Sequence, residues 1–183
     1  MKYLKIALFI AILRYIFIAL NRQIILEDPH DGWVNYFYLP AGLNVIAILT
    51  SGYIGAAGVA IGSLVWNLRN NSIDSPTAIT LSVAPFLSCS ISYWTYSIFH
   101  NTYRTNDWHA PTVNDYIKIA LTYAIVNSTL HHAIFPIVFG SELFSSATYL
   151  EMMLGDIFGA MIVFIVFNIA ASLSLDIFKK YIN

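Results

Sequence analysis

The chain has 183 residues, of which 58% are apolar, 15% aromatic and 10% charged, where an ordinary soluble domain carries roughly a quarter charged residues. That composition excludes a soluble globular protein and points to a single integral membrane domain over residues 1–183, all-α in class. A formal net charge of −1 without a basic tract offers no nucleic-acid footprint, and a lone cysteine, Cys89, excludes a disulfide framework or a cysteine-based metal cluster.

Read against the roughly 20 residues that cross a hydrocarbon core, apolar runs at about 4–21, 37–50, 53–68, 78–99, 117–139 and 149–174 predict a polytopic bundle of about six transmembrane helices. Lys2 and Lys5 precede the first run in the manner of a signal peptide, but Arg14 at its centre and the lack of a small-x-small cleavage signal predict a retained helix. Ser51-Gly52-Tyr53 is the only punctuation between the second and third runs, which predicts a tight helical hairpin. The sixth run is long enough to tilt or to continue past the bilayer. No linker or extramembrane domain is expected.

Placing both termini in the cytoplasm puts Lys2, Lys5, Arg104, Lys118, Lys179 and Lys180 inside and leaves Arg22 and Arg69 outside, the usual positive-inside bias. The first outer loop then holds Glu27, Asp28, His30, Asp31 and Trp33, and a cytoplasmic loop holds Tyr103, Trp108 and His109. Their aromatic residues suit anchors at the membrane surface.

Polar side chains inside spans are expensive and each calls for a partner or a task. Counted from the outer ends, Arg14, Asn44, His131 and Asp156 each lie about seven or eight residues deep, which places four helices' polar groups in one layer about 10 Å in at 1.5 Å per residue. Arg14 and Asp156 are the fixed opposite charges of that layer and are expected to meet directly or through water. Asn127 shares a face with His131, four residues on, while His132 points about 100° away. The layer reads either as structural glue or as an outward polar cavity that binds a ligand or relays a proton through His131.

A metal site built from His131, His132, His30 and Asp31 is not expected, because adjacent histidines on a helix diverge. Haem ligation lacks a second histidine at matching depth. No Gly-x-Ser-x-Gly or HExxH signature occurs, so no catalytic residues and no cofactor are assigned, and an enzyme is not expected. Small residues predict close helix packing at Gly58-x-x-x-Gly62, at Gly155 and Gly159 flanking Asp156, and at Ala7-x-x-x-Ala11, either inside the bundle or against a partner.

The run Tyr38-Leu39-Pro40-Ala41-Gly42-Leu43, leading through the glycine-rich stretch to Trp66-Asn67-Leu68, resembles the entry of the bacterial membrane-associated sensor family called MASE-one. Gly155-Asp156-Ile157-Phe158-Gly159 resembles the Gly-Asp-x-x-Gly of that family's last conserved helix, and the likeness covers about residues 35–170 in order. The family has more helices, and a proline after the Gly-Asp motif where Ile162-Val163-Phe164-Ile165 stands here. The resemblance implies a multi-pass sensor module of the bacterial inner membrane, shortened and without a fused output domain, acting on a membrane-protein partner or as a homo-oligomer, with a small-molecule ligand in prospect. Two other functions compete with it. Ala7-x-x-x-Ala11 and the six-helix count are similar to the substrate-binding components of energy-coupling-factor transporters, and the aromatic content suits a structural subunit of a larger complex.

Overall fold

The computed structural model describes residues 1–24, 37–69, 73–99, 112–139 and 145–182. The loop expected on the outer side, with Glu27, Asp28, His30, Asp31 and Trp33, and the loop expected in the cytoplasm, with Tyr103, Arg104, Trp108 and His109, lie outside them. The described residues form five helices: α1 (Lys2–Ile24), α2 (Leu39–Arg69), α3 (Ser75–Phe99), α4 (Val113–Phe139) and α5 (Ser146–Ile182). By length and composition, α1, α2 and α5 can cross a membrane. Leu8, Phe9, Ile12 and Ile16 on α1 and Ile165, Val166 and Phe167 on α5 face outward, as lipid-contacting residues do. α3 and α4 are each longer than α1, but Ser82, Ser88, Ser92 and Ser97 on one and Asn127 and Ser128 on the other are buried, and such side chains lower their apolar character.

Local signals set the helix starts. The Thr77 N–H donates to Asp74 Oδ1 at 3.1 Å ahead of α3, and hydrogen bonds from the Thr77 hydroxyl and N–H hold the Asp74 carboxyl below its ordinary range. Thr112 and Asp115 form a reciprocal cap at α4: the Thr112 N–H donates to Asp115 Oδ2 at 2.8 Å and the Asp115 N–H to Thr112 Oγ1 at 3.3 Å. Ser145 and Thr148 repeat the exchange at α5.

The six predicted runs become five helices because 37–50 and 53–68 form one element, α2, broken at Gly52 (φ 55°, ψ −133°). The break is a reversal. A Cβ on Gly55 would collide with the carbonyl of Ala47, two positions that a straight helix would hold about 12 Å apart. Ser51-Gly52-Tyr53 therefore turns the chain back on itself, as its punctuation suggests. Glycine is required at the turn both for its positive φ and because a Cβ there would lie 2.9 Å from the Tyr93 ring.

Folded in this way, α2 touches each of the other four helices, while α1 packs on α2 alone among the described residues. The contact is close because the small residues interlock. The carbonyls of Ala7 and Ala11 come within 2.7 and 2.6 Å of where side chains on Gly58 and Gly62 would begin, so the two small-residue stripes serve one another inside the bundle. On the opposite side of α2, Gly42 lies 3.0 Å (Cβ position) from the Gly159 carbonyl, Gly159 abuts the Tyr38 carbonyl, and the Tyr38 N–H donates to the Gly155 carbonyl at 2.9 Å. Val45, Ile48, Ala56 and Val59 of α2, with Ile119 and Tyr123 of α4, fill the core between.

These approaches leave no room for side chains. Gly62→Val and Gly159→Val are each expected to destabilise by about 1–3 kcal/mol through overpacking, seen as a lowered thermal midpoint in detergent. Ile12→Val, on a side chain 60% exposed on the apolar exterior, is expected to leave the midpoint nearly unchanged.

Candidate functional site

The close contact of α1 with α2 carries Arg14 into the bundle, where it is 3% exposed. The guanidinium finds its oxygens just ahead of α2 and on its second arm: Nε donates to Ser63 Oγ at 3.2 Å and Nη2 to the Tyr38 hydroxyl at 2.9 Å, with the Tyr38 ring beneath the cation at 5.4 Å. Across the bundle, Asn127 of α4 links α3 to α5. Its Nδ2 donates to Asp156 Oδ2 at 2.8 Å and its Oδ1 accepts from Ser88 Oγ at 3.1 Å. Asn44, fully buried on α2, donates from Nδ2 to the Tyr123 hydroxyl at 2.6 Å.

A direct Arg14–Asp156 ion pair is absent among the described residues. Each charge is met by neutral hydrogen-bonding groups, because the reversal at Gly52 brings Tyr38 and Ser63 to Arg14 first, and Asn127 reaches Asp156 from the neighbouring helix. Arg14 Nη1, Asp156 Oδ1 and Asn44 Oδ1, with the Ser90 and Ser128 hydroxyls, are buried and have no partner among the described residues. Buried polar atoms are nearly always paired, so five such atoms call for an explanation.

Arg14 and Asp156 border a common cavity of about 160 Å³. Tyr38, Tyr123, Asn127 and His131 complete its polar wall, and Leu81, Phe135 and Met152 form an apolar side. It extends to Asn21, Arg22, Trp66 and Asn67, near the ends of α1 and α2, where the Arg22 guanidinium sits 5.5 Å from the Trp66 ring. His131 is half-buried, its Nδ1–H donating to the Asn127 carbonyl at 2.9 Å and its ring edge-on to Phe135 at 4.8 Å. His132 turns elsewhere, to the Ser128 carbonyl and the Tyr149 ring.

Of the residues singled out from sequence, the structure thus gathers Arg14, Asn127, His131 and Asp156 around one space. Asn44 stands one hydrogen bond behind it, through Tyr123. Gly155 and Gly159 form the close crossing beside Asp156, while Gly58 and Gly62 seat the helix that bears Arg14. The sequence reading missed Tyr38 as a ligand of Arg14, and missed Ser63, Ser88 and Tyr123 altogether. One signal was present for Tyr123: it precedes Asn127 by four residues and His131 by eight, so the three share a helix face. Comparison with protein-family models, curated proteins and solved structures finds no match.

Replacing Asn127 with Leu would leave both Asp156 oxygens without a donor, and is expected to lower stability by roughly 1–3 kcal/mol or more. Ser63→Ala leaves Arg14 its bond to Tyr38 and is expected to cost about 1 kcal/mol or less. A double-mutant cycle between positions 127 and 156, followed by denaturant titration in mixed micelles, should return a coupling energy of about 0.5–3 kcal/mol.

Proposed function

We propose that this protein is a membrane input module of the sensor type, which takes a small polar solute into the cavity beside Asp156 and passes its occupancy to a membrane-protein partner. The observation that carries the reading is the cavity itself, whose wall sets Arg14, Tyr38, Asn127, His131 and Asp156 beside an apolar side. A purely structural polar layer has every reason to close, since interiors pack to crystal-like density. A site for a solute has reason to keep a polar space open.

In this reading the two stretches that carry the resemblance to the MASE-one family meet: Tyr38 and Gly42 of one pack directly on Gly155 and Gly159 of the other. In this reading the two arms of α2 count as separate passes, shorter than the bilayer and accommodated by local thinning. They bring the total to six, with both termini in the cytoplasm of a bacterial inner membrane. The cavity then opens outward. α5 supplies the route to a partner: its 37 residues extend about 55 Å at 1.5 Å per residue, well beyond a core of about 30 Å. A shift at Asp156 would travel along one helix to the other side. The likeness to energy-coupling-factor components loses its main feature, since Ala7 and Ala11 are covered by Gly58 and Gly62 rather than free for a coupling subunit.

Gentle extraction followed by mass spectrometry of the intact particle tests the proposal. The expected result is a stoichiometric low-mass ligand on the wild type, with or without a protein partner, that is lost from Asp156→Asn while the variant stays folded and monodisperse. A wild-type particle that carries lipid alone in native membranes and after incubation with membrane-periphery extracts would overturn it.

A further inference from the structure

A second concavity, of about 370 Å³, runs between α4 and α5 and shares no lining residue with the polar cavity. Its floor is low because small residues face it: Ala120 and Ala160 are buried, while Ile117, Leu121, Met161 and Ile165 around them are about half-exposed. The single hydroxyl among its described lining residues is already used. Tyr116 O–H donates to the Ala160 carbonyl at 2.7 Å, and its ring lies against that of Phe164 at 4.5 Å. The groove therefore offers an occupant hydrocarbon contact and no hydrogen bond. At one end its rim becomes polar. The groove starts at Val113, the first residue of α4, and Asn114, Ile117, Lys118 and Leu121 follow the i, i+3, i+4, i+7 spacing of one helix stripe. All four are exposed, so Lys118 shares a stripe with two rim residues. The neighbouring carboxylate of Asp115 is turned into the helix cap, where Oδ2 accepts from the N–H and the hydroxyl of Thr112.

We propose that this groove holds an acyl chain of an anionic phospholipid, with the lipid phosphate beside Lys118. An apolar trough that leads to a cation near a helix end has the two-part chemistry of such a molecule. The size agrees: about 150 Å³ admits the six carbons of benzene, so the 370 Å³ of the groove corresponds to about fifteen carbons, the order of one acyl chain. The four-carbon stem of Lys118 can lie along hydrocarbon while its ammonium stays at the polar surface. A second copy of the chain is a poorer occupant, because it would carry Lys118 into a protein contact with no carboxylate on the described rim to meet it. In the topology proposed above, the start of α4 lies at the cytoplasmic leaflet, where anionic lipids attract juxtamembrane cations. The inference does not depend on what the polar cavity binds.

The test places the full-length protein in nanodiscs of phosphatidylcholine that contain a minority of phosphatidylglycerol with the same acyl chains, and identifies by native mass spectrometry the lipids that stay bound when the protein is released. The wild type is expected to retain lipid in which phosphatidylglycerol is enriched about fivefold over its share of the bilayer, the factor that corresponds to about 1 kcal/mol for one lysine near the membrane surface. Lys118→Gln should still retain lipid but lose the enrichment. Ala120→Leu, which fills the floor of the groove, should lose the retained lipid whatever its headgroup. Position 118 is exposed, so the comparison of wild type with Lys118→Gln decides even where Ala120→Leu does not fold. Release of the wild type without lipid, retained lipid that mirrors the bilayer composition, or an enrichment that survives Lys118→Gln each overturns the proposal. A lipid-free particle of twice the chain mass also overturns it and gives the groove to a second copy.

Discussion

A guanidinium inside an apolar bundle must be met by oxygens, and the two that meet Arg14 lie 25 residues apart on the chain, on Tyr38 and Ser63. They can do so because α2 doubles back at Gly52, so that its entrance and its exit stand side by side. The same contact holds α1 in place. That helix packs on α2 alone among the described residues, through alanine carbonyls set against Gly58 and Gly62. Close backbone approach and the burial of the charge are thus two aspects of one interface: a larger residue at position 62 would push away the arginine as well as the helix that carries it.

The opposite side of α2 is built on the same principle. Gly42 and Gly159 let α5 approach until the Tyr38 N–H reaches the Gly155 carbonyl, which sets Asp156 at the level of Arg14 without bringing the two together. Asn127 and Ser88 then tie α3, α4 and α5 through Asp156. Arg14 and Asp156 both border the cavity, and each keeps one buried atom unpaired among the described residues. Packing of small residues in this protein therefore produces an opening as well as a seal, and the opening is where the chemistry is concentrated.

Much of this was legible before any coordinates. The helical runs follow from apolar length and the reversal at Ser51-Gly52-Tyr53 from a break in an otherwise unbroken apolar stretch, whereas Ala7-x-x-x-Ala11 and the glycines flanking Asp156 marked places of close approach without saying what approaches. The importance of Arg14, Asn127 and Asp156 followed from the cost of placing such groups in hydrocarbon. The Arg14–Asp156 pair was the natural inference from charge alone. Its direct form gives way because opposite charge says nothing about which neutral donor or acceptor lies nearer, and Tyr38, Ser63 and Asn127 are nearer. Tyr123 and Ser88 gave little warning, since a tyrosine or a serine in a membrane helix is ordinary until something is seen to lean on it.

What the sequence determined by itself was the inventory: an α-helical chain built of long apolar runs, small residues in stripes and a few costly polar groups within those runs. Those properties are local, set by periodicity, composition and position along a helix. Which stripe meets which, which oxygen answers Arg14, and which atoms are left over were decided by the tertiary structure. Hydrogen-bond partners depend on interhelical distance and rotation at the scale of an ångström, and neither is a property of any single segment.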